Sequence, residues 1–278
     1  METTLENPAG LLVRPDGGGN GTGALVLAGS SGRVEVDRVR LLASAGVTAM
    51  SIQWFGGEGQ PPGICEVPLE TFGAALDRLG ELCSRLVLIG TSKGAEAALL
   101  LAAVDARVDA VVAFAPSHVV WFNSGPGRDG KLRPARSSWT RDGEPLPFVP
   151  PDDDARSILG DPPAFRGVYH QSLATSAGHV PAATIPVERI AGDVVLVAGE
   201  DDQVWDSAAF ARAIADRRER HGLHTTLVTH PEAGHRAVLP GEPTPTGGTR
   251  MLRGGNPEAD AALGRLAWWE LTKVLPLS

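Results

Sequence analysis

The sequence is poor in cysteine, since only Cys65 and Cys83 occur among its 278 residues. Two cysteines are too few for the disulfide framework of a small secreted protein, so a reduced, cytoplasmic setting is expected. The first residues contain neither a basic segment nor an apolar stretch, and no secretory signal is predicted. No apolar run approaches the length that spans a bilayer, so a membrane is not an expected partner.

The sequence also lacks blocks of lysine and arginine, and its formal net charge is −8. Without a basic block to neutralise phosphates, nucleic acid is not an expected partner. No cluster of His, Cys and Asp has the spacing of metal ligands, so neither a metal nor another cofactor is predicted. The apolar fraction of 42% is ordinary for a globular core. The length suits a single domain over residues 1–278, either one large α/β domain or one domain with a sizeable insertion.

What the chain does contain is an alternation of strand-like and helix-like segments. Short apolar, β-branched runs predict strands at 11–13, 24–28, 47–54, 86–89, 108–114, 193–198 and 225–229. Amphipathic or Ala/Leu-rich runs predict helices at 34–42, 69–82, 95–101, 207–221 and 258–275. Such alternation predicts an α/β fold, with a mostly parallel sheet covered by helices on both faces. Ligands of such sheets bind at the carboxyl ends of the strands.

One turn between a predicted strand and a predicted helix has the pattern of a nucleophile elbow. It reads Gly90-Thr91-Ser92-Lys93-Gly94, with small residues two positions either side of the serine. Such a turn is sharp and strained, and it exposes the serine hydroxyl above a helix N-terminus that favours negative charge. An ordinary glycine-rich turn is the alternative, but the flanking strand and helix favour Ser92 as a nucleophile.

A nucleophilic serine needs a base that is oriented by a carboxylate, in the chain order Ser, acid, His. The acid is expected after the strand at 193–198, where Asp202 is favoured and Asp201 is the alternative. The base is expected after the last strand, where Gly234 leaves the backbone free to bring His235 over the sheet.

An acyl-transfer site also needs two N–H donors for the oxyanion. One is expected from the backbone of Lys93, which follows the nucleophile, while its side chain is expected to point to solvent. The second is expected from Ser30, in the Gly/Ser turn that follows the strand at 24–28. A plain turn with no role in catalysis is the alternative for Ser30.

The segment 117–188 interrupts the alternation of strands and helices. It is rich in Pro, Gly, Arg and Asp, and it carries Trp121, Trp139 and Phe148. A loop of this length is usually either functional or disordered, and its aromatic residues favour an ordered cap over the active site. Trp121 closely follows the strand at 108–114, so we expect it to lie at the substrate pocket, whereas Trp139 is expected to be structural.

Several motifs together resemble one known family. They occupy residues 27–32, 90–96, 138–140, 143–150, 199–205, 233–235 and 254–259, the last leading into Trp268-Trp269. In these motifs the chain resembles the C-terminal catalytic domain of the acyl-CoA thioesterases and bile-acid-CoA:amino-acid N-acyltransferases. The resemblance implies an α/β-hydrolase fold, thioester chemistry and a triad of Ser92, Asp202 and His235.

Two features depart from the family pattern. Its mammalian-type members carry an N-terminal β-sandwich of about a hundred residues, where this chain has about ten. Its acyltransferase members use a cysteine nucleophile at the position of Ser92. The sequence therefore predicts a serine hydrolase that cleaves acyl thioesters, in which the acyl group is attached to CoA or to an acyl carrier protein. A carboxylic-ester or lactone hydrolase, an acyltransferase or cyclase, and a non-catalytic binding protein are the alternatives.

Overall fold

The computed structural model describes residues 1–244 and 249–276. Its strands are β1 (Glu2–Glu6), β2 (Ala9–Val13), β3 (Thr22–Leu27), β4 (Thr48–Ile52), β5 (Val67–Pro68), β6 (Arg85–Thr91), β7 (Val108–Phe114), β8 (Trp139–Arg141), β9 (Glu144–Pro145), β10 (Asp193–Gly199) and β11 (Thr226–His230). Its helices are α1 (Val36–Ser44), α2 (Glu70–Gly80), α3 (Lys93–Ala102), α4 (Arg166–Thr175), α5 (Val180–Ala183), α6 (Ser207–Glu219) and α7 (Pro257–Val274). Short 3₁₀ turns occupy Asp154–Ile158 and Val187–Arg189.

Eight strands form one sheet in the order β1-β2-β4-β3-β6-β7-β10-β11. The strand β2 pairs antiparallel with both of its neighbours, β1 and β4. Every other neighbouring pair in this sheet is parallel. The parallel strands all end at one edge, where the turns after β3, β6, β10 and β11 lie. The strands β5, β8 and β9 form a separate small sheet.

Two apolar layers cover the main sheet, because alternate residues of each buried strand face opposite sides. In β3, Leu25 and Leu27 belong to the layer that contains α2, α3 and α6. Ala24 and Val26 belong to the opposite layer, with α1 and α7. The last two helices begin at side-chain caps: Asp206 accepts from the Ala209 N–H of α6, and Asn256 accepts from the Ala259 N–H of α7.

The mostly parallel sheet with helices on both faces confirms the prediction from the alternating pattern. The strand β1 was not predicted, because this edge strand is polar and largely exposed and so lacks the apolar run of a buried strand. The elements inside 117–188, which include β8, β9, α4 and α5, were not predicted either. In the part of the chain that the structure describes, no helix combines the length and the apolar character needed to cross a bilayer.

Candidate active site

Ser92 lies at the sharp turn between β6 and α3. Its backbone has φ 57° and ψ −119°, in the left-handed region that a residue with a β-carbon rarely adopts. Its N–H donates to the Phe114 carbonyl at 2.9 Å, at the end of the neighbouring strand β7. The strained backbone is therefore held by the sheet on one side and by the first turn of α3 on the other.

Glycine is required on both sides of this turn by close contacts between backbones. A β-carbon on Gly90 would collide with the carbonyl group of Gly94, and one on Gly94 would collide with the carbonyls of Leu27 and Ala28. The two glycines thus let α3 start directly against the end of β3. A side chain at either position would push the turn and Ser92 away from the sheet.

Asp202 and His235 come together although 33 residues separate them. His235 Nδ1 lies 2.7 Å from Asp202 Oδ2, and Asp202 is fully buried. The other carboxylate oxygen, Oδ1, accepts from the N–H groups of Val204 at 2.8 Å and Trp205 at 3.3 Å. The carboxylate is therefore fixed by its own turn and presents one oxygen to the imidazole. The backbone N–H of His235 donates to the Arg253 carbonyl at 2.9 Å.

Asp201, the alternative acid, faces another direction. Its Oδ2 accepts from the Gly255 N–H at 2.8 Å, and its Oδ1 accepts from Gln203 Nε2 at 2.9 Å. Gly254 and Gly255 both have positive φ. The backbone of Gly254 lies close to that of Asp201, and the backbone of Gly255 lies close to that of Gly234. The geometry therefore pairs Asp202 with His235 and leaves Asp201 to hold the glycine turn.

The two residues expected to supply oxyanion donors lie beside the nucleophile. A β-carbon on Gly29 would stand 3.1 Å from the Ser92 β-carbon, so the turn after β3 directly borders the serine. Ser30 follows in that turn and is exposed. Lys93 is the first residue of α3, where backbone N–H groups have no acceptor within the helix.

Ser92 and His235 line one cavity of about 890 Å³, together with Ser30 and Lys93. Its walls come from the turns at the carboxyl ends of the strands and from the segment 117–188, which contributes Ser124, Phe165 and Tyr169. The Tyr169 ring is packed edge-on against Trp205, with centroids 5.4 Å apart. Burial raises the pKa of the Tyr169 phenol above its usual range, so the group stays neutral.

The Lys93 side chain is buried, which corrects the expectation that it points to solvent. Its Nζ donates to Glu96 Oε2 at 3.0 Å and to Ser138 Oγ at 2.8 Å. Glu96 Oε1 in turn accepts from the Trp121 backbone N–H at 3.0 Å and from Trp139 Nε1 at 2.8 Å. Burial lowers the pKa of Lys93, and the charge of Glu96 opposes this shift. The network ties the helix that starts at Ser92 to the segment 117–188.

Trp121 is also placed differently from the expectation that it contacts the substrate pocket. It is fully buried, and its indole N–H donates to Ser117 Oγ at 2.7 Å. It is absent from the described residues that line the cavity, and it packs edge-on against Tyr169, which does line it. The backbone of Trp121 is bound to Glu96, so the ring stands behind the cavity wall. Trp139 is buried against Trp54 and Phe72.

A family model described as BAAT / acyl-CoA thioester hydrolase C terminal matches residues 67–275, which is most of the chain. The chain belongs to this family. The match includes the turns that carry Ser92, Asp202 and His235. The family resemblance inferred from the sequence motifs is thereby confirmed.

Individual proteins with related names are similar to almost the whole of this chain. Acyl-coenzyme A amino acid N-acyltransferase 2 of Rattus norvegicus is 28% identical over 277 residues, covering 95% of this chain and 62% of that protein. Acyl-coenzyme A thioesterase 1 of Homo sapiens is 25% identical over 273 residues, covering 94% of this chain and 61% of that protein. The chain therefore spans about three fifths of the length of these relatives.

Solved structures identify the fold of this family member. A dienelactone hydrolase-like promiscuous phosphotriesterase from metagenomic libraries has a TM-score of 0.57 at 16% identity, covering 100% of this chain and 98% of that one. The esterase domain of a Rhodothermus marinus protein has a TM-score of 0.51 at 15% identity, covering 95% of this chain and 92% of that one. At these identities the likeness concerns the fold alone, and it confirms the expected α/β-hydrolase fold.

Several residues around the cavity were not found from the sequence. The i, i+3 spacing of Lys93 and Glu96 was a signal for an ion pair on one helix face. Arg236 stands directly beside His235 in the sequence and lines the same cavity. Tyr169 was not predicted, because α4 contains only two buried residues, Val168 and Ser172, and so has a weak apolar pattern.

Proposed function

We propose that this protein is a serine hydrolase that cleaves acyl thioesters through an acyl intermediate on Ser92. The observation that carries the proposal is the shared cavity of Ser92 and His235, with His235 Nδ1 at 2.7 Å from the buried Asp202 carboxylate. The family match supports thioester chemistry, and the strained backbone of Ser92 supports a nucleophilic role.

In the proposed mechanism, His235 takes the proton of the Ser92 hydroxyl as Oγ attacks the thioester carbonyl carbon. The carbonyl π bond breaks, and the oxyanion accepts hydrogen bonds from the backbone N–H groups of Lys93 and Ser30. The oxyanion then re-forms the carbonyl and expels the thiol, which receives its proton from His235. A water molecule then gives a proton to His235 as its oxygen attacks the acyl carbonyl carbon. The bond from that carbon to Ser92 Oγ breaks, the acid leaves, and His235 returns the proton to Oγ.

Asp202 acts in this scheme by orienting the imidazole and stabilising its protonated form. The carboxylate keeps its position because the turn at Val204 and Trp205 donates to its other oxygen. Trp205 also lies edge-on to the His235 ring, with centroids 5.8 Å apart. These contacts fix the plane of the imidazole that faces the cavity.

The segment 117–188 acts, in this proposal, as a cap that shapes the acyl-binding part of the cavity. Phe165 and Tyr169 supply aromatic surface to the wall, and Ser124 supplies a hydroxyl. The buried network of Lys93 and Glu96 supports this role, because it holds the segment against the helix that begins at the nucleophile. Trp121 contributes from behind the wall.

The test is a panel of acyl-CoA, acyl-pantetheine and p-nitrophenyl esters, with wild-type enzyme and with Ser92→Ala, His235→Ala and the double variant. Each single substitution is expected to lower kcat by about 10⁴-fold, and the double variant is expected to be little slower. A fluorophosphonate probe is expected to label wild type and the Ser124→Ala control but not Ser92→Ala. Cleavage of the oxygen esters without cleavage of either thioester would contradict the proposed substrate class.

A further inference from the structure

Arg38, on α1, is a buried arginine that contacts three separate segments around the candidate triad. Its Nε and Nη2 donate to the two carboxylate oxygens of Glu242, at 2.5 and 2.9 Å. Its Nη1 donates to Thr91 Oγ1 at 3.3 Å, and its guanidinium carbon lies 4.7 Å from the centre of the Phe114 ring. The Arg38 side chain is 10% exposed and that of Glu242 is 7% exposed, so the ion pair is largely shielded from water.

Two of these contacts reach the nucleophile elbow. Thr91 directly precedes Ser92 in the chain. Phe114 bonds to Ser92 itself, because its carbonyl accepts the Ser92 N–H at 2.9 Å. Arg38 therefore touches both the residue before the serine and the residue that holds the backbone N–H of the serine.

The third contact reaches the loop that follows His235. Glu242 lies a few residues beyond His235, in a turn where the Leu239 N–H donates to Glu242 Oε2 at 2.9 Å. Arg38 itself belongs to the helix that follows the Ser30 turn. One guanidinium group thus links the turn with the proposed oxyanion donor, the nucleophile elbow and the loop of the base, which are far apart in the sequence.

Arginine is suited to this arrangement, because its planar guanidinium presents N–H donors in a fixed geometry. A two-point pair with a carboxylate fixes the plane of the guanidinium and directs the remaining donors, here toward Thr91. Burial acts to lower the pKa of Arg38, but the charge and the hydrogen bonds of Glu242 raise this pKa overall, so the group stays charged. The contacts are therefore directional, and they form together only when the three segments keep their relative positions.

We propose that Arg38 and Glu242 are a positioning pair for the proposed hydrolysis, which holds the nucleophile elbow and the loop of His235 at the separation that proton transfer needs. The inference rests on the proposed function, since it concerns the alignment of the same triad. Displacement of a reacting group by about 1 Å lowers a rate by about 10²-fold. In this role, neither residue takes part in a bond-breaking step.

The kinetic test measures kcat and KM with the p-nitrophenyl ester and the thioesters. For Arg38→Met and Glu242→Gln, kcat is expected to fall by about 10²-fold while KM stays within about twofold of wild type. Arg38→Lys keeps the charge but cannot contact both Glu242 oxygens and Thr91 together, so its kcat is expected to lie between those of Arg38→Met and wild type. A rise in KM with unchanged kcat would overturn the positioning role.

The matched control is Arg217→Met, which breaks another two-point ion pair. Arg217, on α6, donates to the two oxygens of Glu188 at 2.6 and 2.9 Å. Neither residue is among the described residues that line the cavity, so kcat is expected to be unchanged.

A double-mutant cycle tests whether Arg38 couples the two segments. Thr91→Val removes the hydroxyl but keeps the shape of the side chain, and it is combined with Glu242→Gln. Because both residues act through Arg38, the combined loss of kcat is expected to be at least about threefold smaller than the product of the single losses. In Arg38→Met, adding Thr91→Val is expected to change kcat by less than about twofold. Single losses that multiply would overturn the proposal.

A loss of folding is separated from a loss of alignment by assaying each variant well below its melting temperature, which is followed by circular dichroism. The rate at which the fluorophosphonate probe labels Ser92 is expected to fall by about tenfold or more in Arg38→Met and in Glu242→Gln. A lower melting temperature together with the kcat and the labelling rate of Arg217→Met would overturn the positioning role.

The labelling rate also separates this inference from the proposed function. If wild type cleaves no thioester, but Ser92 is labelled quickly in wild type and slowly in Arg38→Met, the proposed function fails and the positioning role stands. If wild type cleaves thioesters and both variants are labelled at the wild-type rate, the positioning role fails alone.

Discussion

The buried carboxylate of Glu96 offers the sharpest test of how the structure supports its active site. Glu96 is fully buried and accepts three hydrogen bonds, from Lys93 Nζ, the Trp121 backbone N–H and the Trp139 indole N–H. The substitution Glu96→Gln keeps the size of the side chain but removes the charge and one acceptor. The Lys93 ammonium, which is only 3% exposed, is then left without its anion.

Removal of one partner from a buried ion pair destabilises a protein by about 3–5 kcal/mol, because the remaining charge is neither solvated nor paired. We expect a loss of that size, which for a chain of this length lowers the melting temperature by about 6–20 °C. The double variant Lys93→Met/Glu96→Gln is expected to be less destabilised than Glu96→Gln alone, since it contains no unpaired ammonium.

The assay is unfolding in urea followed by tryptophan fluorescence, to which Trp121 and Trp139 contribute. The matched control is Glu270→Gln, because Glu270 and Lys273 form a pair of the same i, i+3 spacing with the lysine side chain 52% exposed. The control is expected to cost at most about 0.5 kcal/mol. An unfolding free energy for Glu96→Gln equal to that of the control would refute the reasoning.

Further predictions concern the acid, the aromatic wall and pH. Asp202→Asn should lower kcat by about 10⁴-fold, whereas Asp201→Asn should mainly lower thermal stability; the reverse order in a thioesterase assay would favour Asp201 as the acid. Trp121→Phe should lower stability by about 1–3 kcal/mol through the lost indole hydrogen bond, with little change in acyl-length selectivity across a substrate series. The hydrogen bond from Arg217 lowers the pKa of Glu188 to about 2, from 4.5. A depressed carboxyl pKa stabilises the fold above pH 4.5 and loses that effect as pH falls to about 2, so the stability difference between wild type and Glu188→Gln should shrink over that interval.

The buried strands were predictable because each is a short run of mostly apolar residues, a pattern that is visible over a few neighbouring positions. The strand β7 contains only one residue that is not apolar, Asp109, and its predicted bounds match the structure. The turn at Ser92 was predictable for a related reason, since only small residues tolerate the close backbone contacts of Gly90 and Gly94. By contrast β1, with three polar side chains exposed on an edge, has no pattern that separates it from a loop.

The placement of side chains around the site was not predictable in this way, because it depends on contacts between residues far apart in the chain. Lys93 looks like a surface lysine in the sequence, because its burial depends on Glu96 and on a serine 45 residues later in the chain. Trp121 looked like a pocket residue because it closely follows β7. Its ring instead packs behind Tyr169, which comes from α4, an element that gave no sequence signal.

The sequence by itself determined the order of the buried strands and of the helices between them, the elbow at Ser92, and the turns that carry Asp202 and His235, because backbone sterics and burial act over a few neighbouring residues. The tertiary structure alone decided which oxygen of which aspartate faces the imidazole, and that Arg33, Arg38, Arg236 and Arg253 line one cavity. Those outcomes depend on distances between segments far apart in the chain. Such distances are set by the packing of the whole domain and not by any local preference.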